Sequence, residues 1–202
     1  MSQGPPGRLA AVVSANLRVI RRGQERVRAG PWRGDSEVAY LSPAPGAPLP
    51  SVSLVRRCLA ELADEGSRRV VTSALLPHEQ EAFVTAGFAA EEQLILLAHD
   101  LRSLPGAPPA AIRRAIHADR PQVLHVDNLS FPLFWRLDEW GLDEALSATP
   151  RARFRVATGD DGSPIAYAIT GRAGRRGYVQ RLAVHPDHRG HGVARALVVD
   201  GL

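Results

Sequence analysis

Residues 178–200, YVQRLAVHPDHRGHGVARALVVD, decide how this chain is read. Tyr178, Gln180, Leu182 and Val184 alternate with Val179, Arg181 and Ala183, the period of a half-buried strand. His185-Pro186-Asp187 stops the alternation, because Pro186 has no amide proton for a central ladder. Arg189-Gly190-His191-Gly192-Val193-Ala194 follows, and Val193, Ala194, Leu197, Val198 and Leu202 then recur at helical spacing. A glycine-rich turn that opens a helix leaves amide N–H groups unpaired at the positive end of the helix dipole. Such a turn can receive a phosphate or pyrophosphate. The alternative is a turn whose glycines serve geometry alone. The dinucleotide fingerprint G-x-G-x-x-G and the P-loop G-K-[ST] are both missing here.

Arg189-x-x-Gly192-x-Ala194 resembles the Q/R-x-x-G-x-G/A signature of the GNAT superfamily of acyl-CoA-dependent N-acyltransferases. LAVHPDHRG at 182–190 resembles the end of that family's fourth strand and its pyrophosphate loop. The resemblance implies an N-acetyltransferase that moves an acetyl group from acetyl-CoA to a primary amine of a small molecule or peptide. It assigns the pantetheine arm to backbone groups of Leu182, Ala183 and Val184, with the Val184 amide toward the thioester oxygen. It assigns the pyrophosphate to Arg189, Gly190, His191, Gly192, Val193 and Ala194. Many members carry a glutamate on or near the fourth strand. Here the strand offers Gln180 and Arg181, with no acid between Asp161 and Asp187. Tyr178 and His185 are left as the catalytic candidates. His185, His188 and His191 have spacing without a cysteine or a well-placed acid, so no metal site is expected. The alternative function is a non-catalytic CoA-binding or structural module.

The 202 residues carry 25 basic side chains, all of them arginine, for a formal charge of +4 and a pI near 10.1. Arginine does not titrate in the useful range, so a small excess raises the pI. The arginines are scattered, and a nucleic-acid partner is not expected. Cys58 is alone, which rules out an intrachain disulfide and suggests a buried thiol. No run reaches membrane-span length and no signal-peptide pattern opens the chain, so a cytoplasmic protein without a membrane partner is expected. A homodimer is left open.

Upstream, residues 1–8 read as disordered, Leu9–Ile20 as one or two strands, Gly23–Gly34 as a basic loop and Val38–Leu41 as a strand. The proline-rich run 43–50 connects these to a helix capped by Ser51 and ended by Gly66. A strand at 70–73, a helix at 78–86 and a strand at Glu92–Ala98 follow. The string F-x-x-A-G-F at Phe83–Phe88 resembles the last helix of a GNAT domain. Residues 1–100 then resemble a degenerate GNAT-like domain without a cofactor loop, for two prolines stand where amides would be needed. Residues 101–118 read as linker and helix, with His117, Asp119 and Arg120 on the surface. The aromatics Phe131, Phe134, Trp135 and Trp140 are either core or, as the family suggests, a wall of the acceptor pocket. Residues 151–158, 164–171 and 178–184 form an antiparallel meander with Asp160-Asp161-Gly162-Ser163 as hairpin turn.

The fold class expected is therefore α/β (α+β): a GNAT-like, mixed, mostly antiparallel sheet flanked by helices. It joins a degenerate N-terminal half to a C-terminal acyl-CoA-binding half. Residues 119–202 resemble the N-terminal half of a GNAT catalytic domain, of an actinobacterial-like tandem type. The family continues past a helix like 193–202, so the chain reads as truncated after the cofactor helix, with a permuted domain as the other option.

Overall fold

A computed structural model describes residues 17–33, 35–104 and 106–202. The chain divides into two compact units, the second running from Ala98 to Leu202. Each has its own sheet and core.

In the first unit, β1 (Arg18–Arg22), β2 (Glu25–Trp32), β3 (Asp35–Pro43) and β4 (Arg69–Val71) lie in that order. The first three are antiparallel, and β4 runs parallel to β3 after the crossover helix α1 (Val52–Asp64). Helix α1 starts where expected: the Ser51 hydroxyl accepts the Leu54 N–H at 3.3 Å, and Gly66 takes φ +101° after its end. Its apolar face, Leu54, Val55, Cys58 and Leu62, is buried with Val27, Ala29, Leu41 and Phe83. A 3-10 turn at Pro77–Glu79 leads into α2 (Glu81–Thr85).

Two expectations fail in this unit. Glu25–Trp32, within the stretch expected as a loop, is a strand, because Val27 and Ala29 alternate with Arg26 and Arg28 and are fully buried. Residues 92–98 are not a strand. Leu94, Ile95, Leu96 and Leu97 are 56–85 % exposed. No ladder partner stands beside them among the described residues, and β4 offers only three residues of edge. A continuous apolar run has no period of its own, and without a partner nothing fixes it in a ladder. The expectations for residues 1–16 lie outside the described residues.

In the second unit, β5 (Ile112–Arg114), β6 (Arg151–Thr158), β7 (Pro164–Ala173) and β8 (Arg176–Val184) form an antiparallel sheet in sequence order. Helices α3 (Arg120–Ser130) and α4 (Glu139–Ser147) lie on one face over Val156, Tyr167, Ile169 and Ala183. Helix α5 (Val193–Gly201) covers the other face through Leu197, over Ala157, Ala166 and Ala168. The helix expected within residues 101–118 does not form there: Ile112–Arg114 is a strand in which Ile112 pairs with Ala157, and His117–Asp119 is a 3-10 turn. Asp119 decides that turn by accepting a two-pronged Arg113 guanidinium (2.6 and 2.8 Å) and the Ile116 N–H (2.8 Å). Asp119 is therefore buried, not a surface residue, and Arg120 is largely covered while it pairs with Glu139 and Asp143.

The alternation read along β8 is broken once. Ile169 pairs with Arg181 and Thr170 with Val179, so Gln180 is an extra residue in a bulge. Past the bulge, Arg181 and Ala183 face α3, while Leu182 and Val184 face α5. Tyr178 and Gln180 thus do not share a face with Leu182 and Val184. Gly171 makes room for the bulge: a Cβ there would collide with the Thr149 hydroxyl and the Gln180 amide.

Candidate functional site

Strand β8 is the outer strand of its sheet, and its end leads straight into the glycine turn. Val184 lies opposite Ala166, and the His185 N–H donates to the Ile165 carbonyl at 2.8 Å. In an antiparallel ladder that makes Val184 a non-bonded position, with its N–H aimed at the open edge. The Val184 carbonyl on the same edge accepts from the Ser130 hydroxyl and from Arg189 Nε, both at 3.1 Å. The Arg189 side chain is thus folded back onto the strand end.

The turn then climbs through Pro186–His188, where the Arg189 N–H closes onto the Pro186 carbonyl. Gly190 and Gly192 both adopt left-handed backbone, φ +81° and +79°, which reverses the chain and starts α5 without a side-chain cap. Among the described residues, the N–H groups of residues 190–194 donate to no protein acceptor. They are unpaired donors at a helix N-terminus, exposed at Gly190 and His191 and half-buried at Gly192, Val193 and Ala194. A Cβ on Gly190 would meet nothing within 4 Å, whereas one on Gly192 would stand 2.7 Å from Pro108 Cγ.

The N-terminus of helix α1 in the first unit is closed. There the N-terminus of α1 is filled by the chain's own groups: Ser51 caps it, and the Glu25 carboxylate accepts the Ser51 N–H at 3.1 Å and its hydroxyl at 3.0 Å. A carboxylate already at the positive end of the helix repels a phosphate.

Of the proton-handling candidates, His185 adjoins Val184 and Tyr178 does not. Tyr178 lies six residues back, roughly 20 Å along a strand. His185 Nδ1 accepts the Asp187 N–H at 3.3 Å, so the neutral ring holds its proton on Nε2. Its ring lies 6.2 Å from that of His125 on α3 and 5.7 Å from that of His188. Among the described residues no group of His, Cys, Asp or Glu could hold a metal ion, and no helix is long and apolar enough to cross a membrane.

A buried cluster beside this edge escaped the sequence. Asp127 on α3 is fully buried and accepts from the Tyr167 hydroxyl, from Arg181 Nε (2.8 Å) and a terminal Arg181 nitrogen (2.9 Å), and from the Leu137 N–H (2.7 Å). Burial and the Asp127 charge raise the Tyr167 phenol well above its ordinary value. Arg181 also donates to the Trp135 carbonyl at 2.6 Å and lies under the Phe131 ring, 3.5 Å from its centroid. The only trace in the sequence was an arginine on the strand where an acid was sought. Its partner lies 54 residues away. A groove of about 680 Å³ lined by Arg114, Leu146, Thr149 and Phe154 contains none of the residues 182–194.

Residues 119–199 match the acetyltransferase (GNAT) family. A GNAT-family acetyltransferase domain is therefore present in the second unit. A solved structure described as a GCN5-related glucosamine N-acetyltransferase region of a fungal multi-domain GH3 beta-N-acetylglucosaminidase is similar over 74% of this chain, at 17% identity and a TM-score of 0.41. The chain spans 21% of the length of that protein. No curated protein matches.

Proposed function

We propose that the second unit binds acetyl-CoA and transfers its acetyl group to a primary amine of a small molecule or peptide in the cytoplasm. The observation that carries this is the donor cluster of residues 190–194 set beside the open edge of β8. These residues fit the group: five backbone N–H donors, two left-handed glycines and a helix dipole suit a pyrophosphate. The edge groups of Leu182 and Val184 suit the amides of a pantetheine arm. When bound, acetyl-CoA supplies an activated thioester.

The protein's own part is positioning and polarisation. The Val184 N–H, fixed by the ladder on its inner side, is a preorganised donor for the oxygen that gains charge during attack. Ser130 and Arg189 hold the carbonyl of the same residue and so fix the direction of that edge. The acceptor must lose a proton. With Nδ1 engaged by Asp187, the His185 ring offers a donor at Nε2 rather than a base, and Tyr178 is too distant. The amine therefore enters in its neutral form.

Calorimetry with CoA and acetyl-CoA tests binding, and thiol release with a panel of amines tests turnover. The expected kcat/KM rises tenfold per pH unit up to the pKa of the ammonium of the amine used. A plateau near the ordinary histidine pKa of about 6.5 would instead make His185 the base. Absence of CoA binding overturns the reading. One observation favours the second reading, a CoA-binding module without turnover: Asp127, the one acid facing β8 from α3, is fully engaged by Arg181 and Tyr167. CoA binding with no thiol release for any amine would establish it.

A further inference from the structure

Strand β5 has three residues and β6 has eight, so the outer side of β6 is paired for only part of its length. The last bond runs from the Ala115 N–H to the Phe154 carbonyl at 3.0 Å, after which the chain leaves for the turn at His117–Asp119. Bonding groups alternate along an antiparallel strand, so Ala152, two residues before Phe154, aims its N–H and carbonyl to the same side. Among the described residues no strand pairs with them there. An unpaired edge is a template for another strand.

This edge lines a groove of about 680 Å³ whose two sides differ in chemistry. Leu146 and Phe154, packed against the core on the α4 face, make one side apolar. Arg153 and Arg155 turn to the other face, where Asp200 accepts from both, and Arg114 stands directly across the ladder from Arg155. Like charges set opposite each other destabilise a sheet. Asp200 offsets Arg155, but Arg114 has no ion pair among the described residues, and the groove lining holds no acid.

The groove thus combines backbone bonding groups, an apolar wall and an excess of positive charge. A second copy of β6 laid along it would set arginine against arginine, which disfavours self-pairing. We propose that the open edge of β6 takes an extended acidic segment of a partner protein as an added strand. Its acidic side chains face Arg114 and Arg153, and the alternate apolar ones face Leu146 and Phe154. Successive side chains of a strand point to opposite faces, so one extended segment meets both walls at once. The edge lies on the opposite side of the sheet from β8, so this site is separate from the donor cluster and stands without the acyl-transfer reading.

The test measures fluorescence anisotropy of labelled hexapeptides with the full chain. The alternating peptide Glu-Val-Glu-Val-Glu-Val should bind at least tenfold more tightly than its lysine counterpart, and about fivefold more tightly than Glu-Glu-Glu-Val-Val-Val, which has the same charge. Arg114→Glu, at an exposed position without an ion pair, should weaken the alternating peptide at least tenfold. Ala152→Pro removes the N–H on the open edge, where proline is tolerated, and should weaken it about fivefold while the thermal midpoint holds. Equal affinity for the two acidic peptides, or no effect of Arg114→Glu, overturns the proposal. So does a single-stranded thymidine oligonucleotide that binds as tightly as the alternating peptide and is lost with Arg114→Glu, since the surface would then answer to charge alone.

Discussion

Asp127 and Asp119 show how single carboxylates organise the second unit. Asp127 ties α3 to β7, β8 and the aromatic segment at once. With all its acceptor positions engaged, it holds structure rather than performing chemistry. Asp119 closes the turn before α3, and Asp200 at the end of α5 takes a two-pronged contact from Arg155 (both bonds 2.8 Å). The Arg113 guanidinium, helped by the Ile116 N–H, holds the Asp119 carboxyl below its ordinary value, and Arg155 does the same for Asp200. A depressed folded pKa means stability that is fully present above the unfolded value, about 3.9, and is lost as pH falls through the folded one. Urea denaturation should therefore show stability steady above about pH 5 and falling below about pH 4. Asp119→Asn should be less stable at pH 7 and show a shallower acid limb. An acid limb of unchanged slope in that variant would show that its ion pair contributes nothing.

At the scale of elements, two helix N-termini carry the contrast between the units. Helix α1 begins with a serine cap and a borrowed carboxylate, and α5 begins with a bare left-handed glycine. A substitution at Gly192 has two separable effects. Alanine at φ +79° costs about 1–2 kcal/mol from backbone strain alone, and its Cβ would strike Pro108. Gly192→Ala should therefore lower the melting temperature as well as weaken CoA binding. Adding Pro108→Gly should recover part of the stability. If CoA affinity returns with it, the Cβ was displacing the Pro108 segment. If affinity stays low, the Cβ occupies ligand space itself. Gly190→Ala, which meets open space, should show the strain cost without the clash.

The sequence made the meander, the hairpin turn, both helix caps and the glycine turn legible, because each is written in neighbouring residues. Gly162 at φ +79° in its Asp-Gly turn and Ser51 at its cap are local chemistry of that kind. What escaped was non-local. Strand β5 depends on Ala157, more than forty residues away, and on an arginine–aspartate turn that out-competes helix propensity. The Gln180 bulge depends on the missing side chain of Gly171 across the ladder. The aspartate beneath Arg181 comes from another element altogether. Residues 92–98 failed in the opposite sense: the local pattern suggested a strand, and no partner was there to make it one.

At the scale of the whole molecule, the two units divide the physical work unevenly. Each buries its own core, Val27, Leu41, Leu54 and Phe83 in the first and Val126, Tyr167, Ile169 and Leu197 in the second. Units with separate cores are expected to fold separately. The donor cluster, the Val184 edge and the Asp127 network all lie within residues 98–202. The anion-accepting helix end of the first unit is closed by Glu25. A fragment of residues 98–202 should therefore show the circular dichroism of a folded α/β protein and bind CoA within about threefold of the full chain. Residues 1–97 should fold and bind none, and Glu25→Gln should not confer binding, since the Ser51 cap remains. Separation also removes the exposed run Leu94–Leu97 from the second unit. The fragment should then be the less prone of the two to associate, as exposed apolar runs are. Sedimentation of both fragments measures this. A folded 98–202 fragment that has lost CoA affinity would show that the first unit completes the site, and CoA binding by residues 1–97 would show that the closed helix end can open.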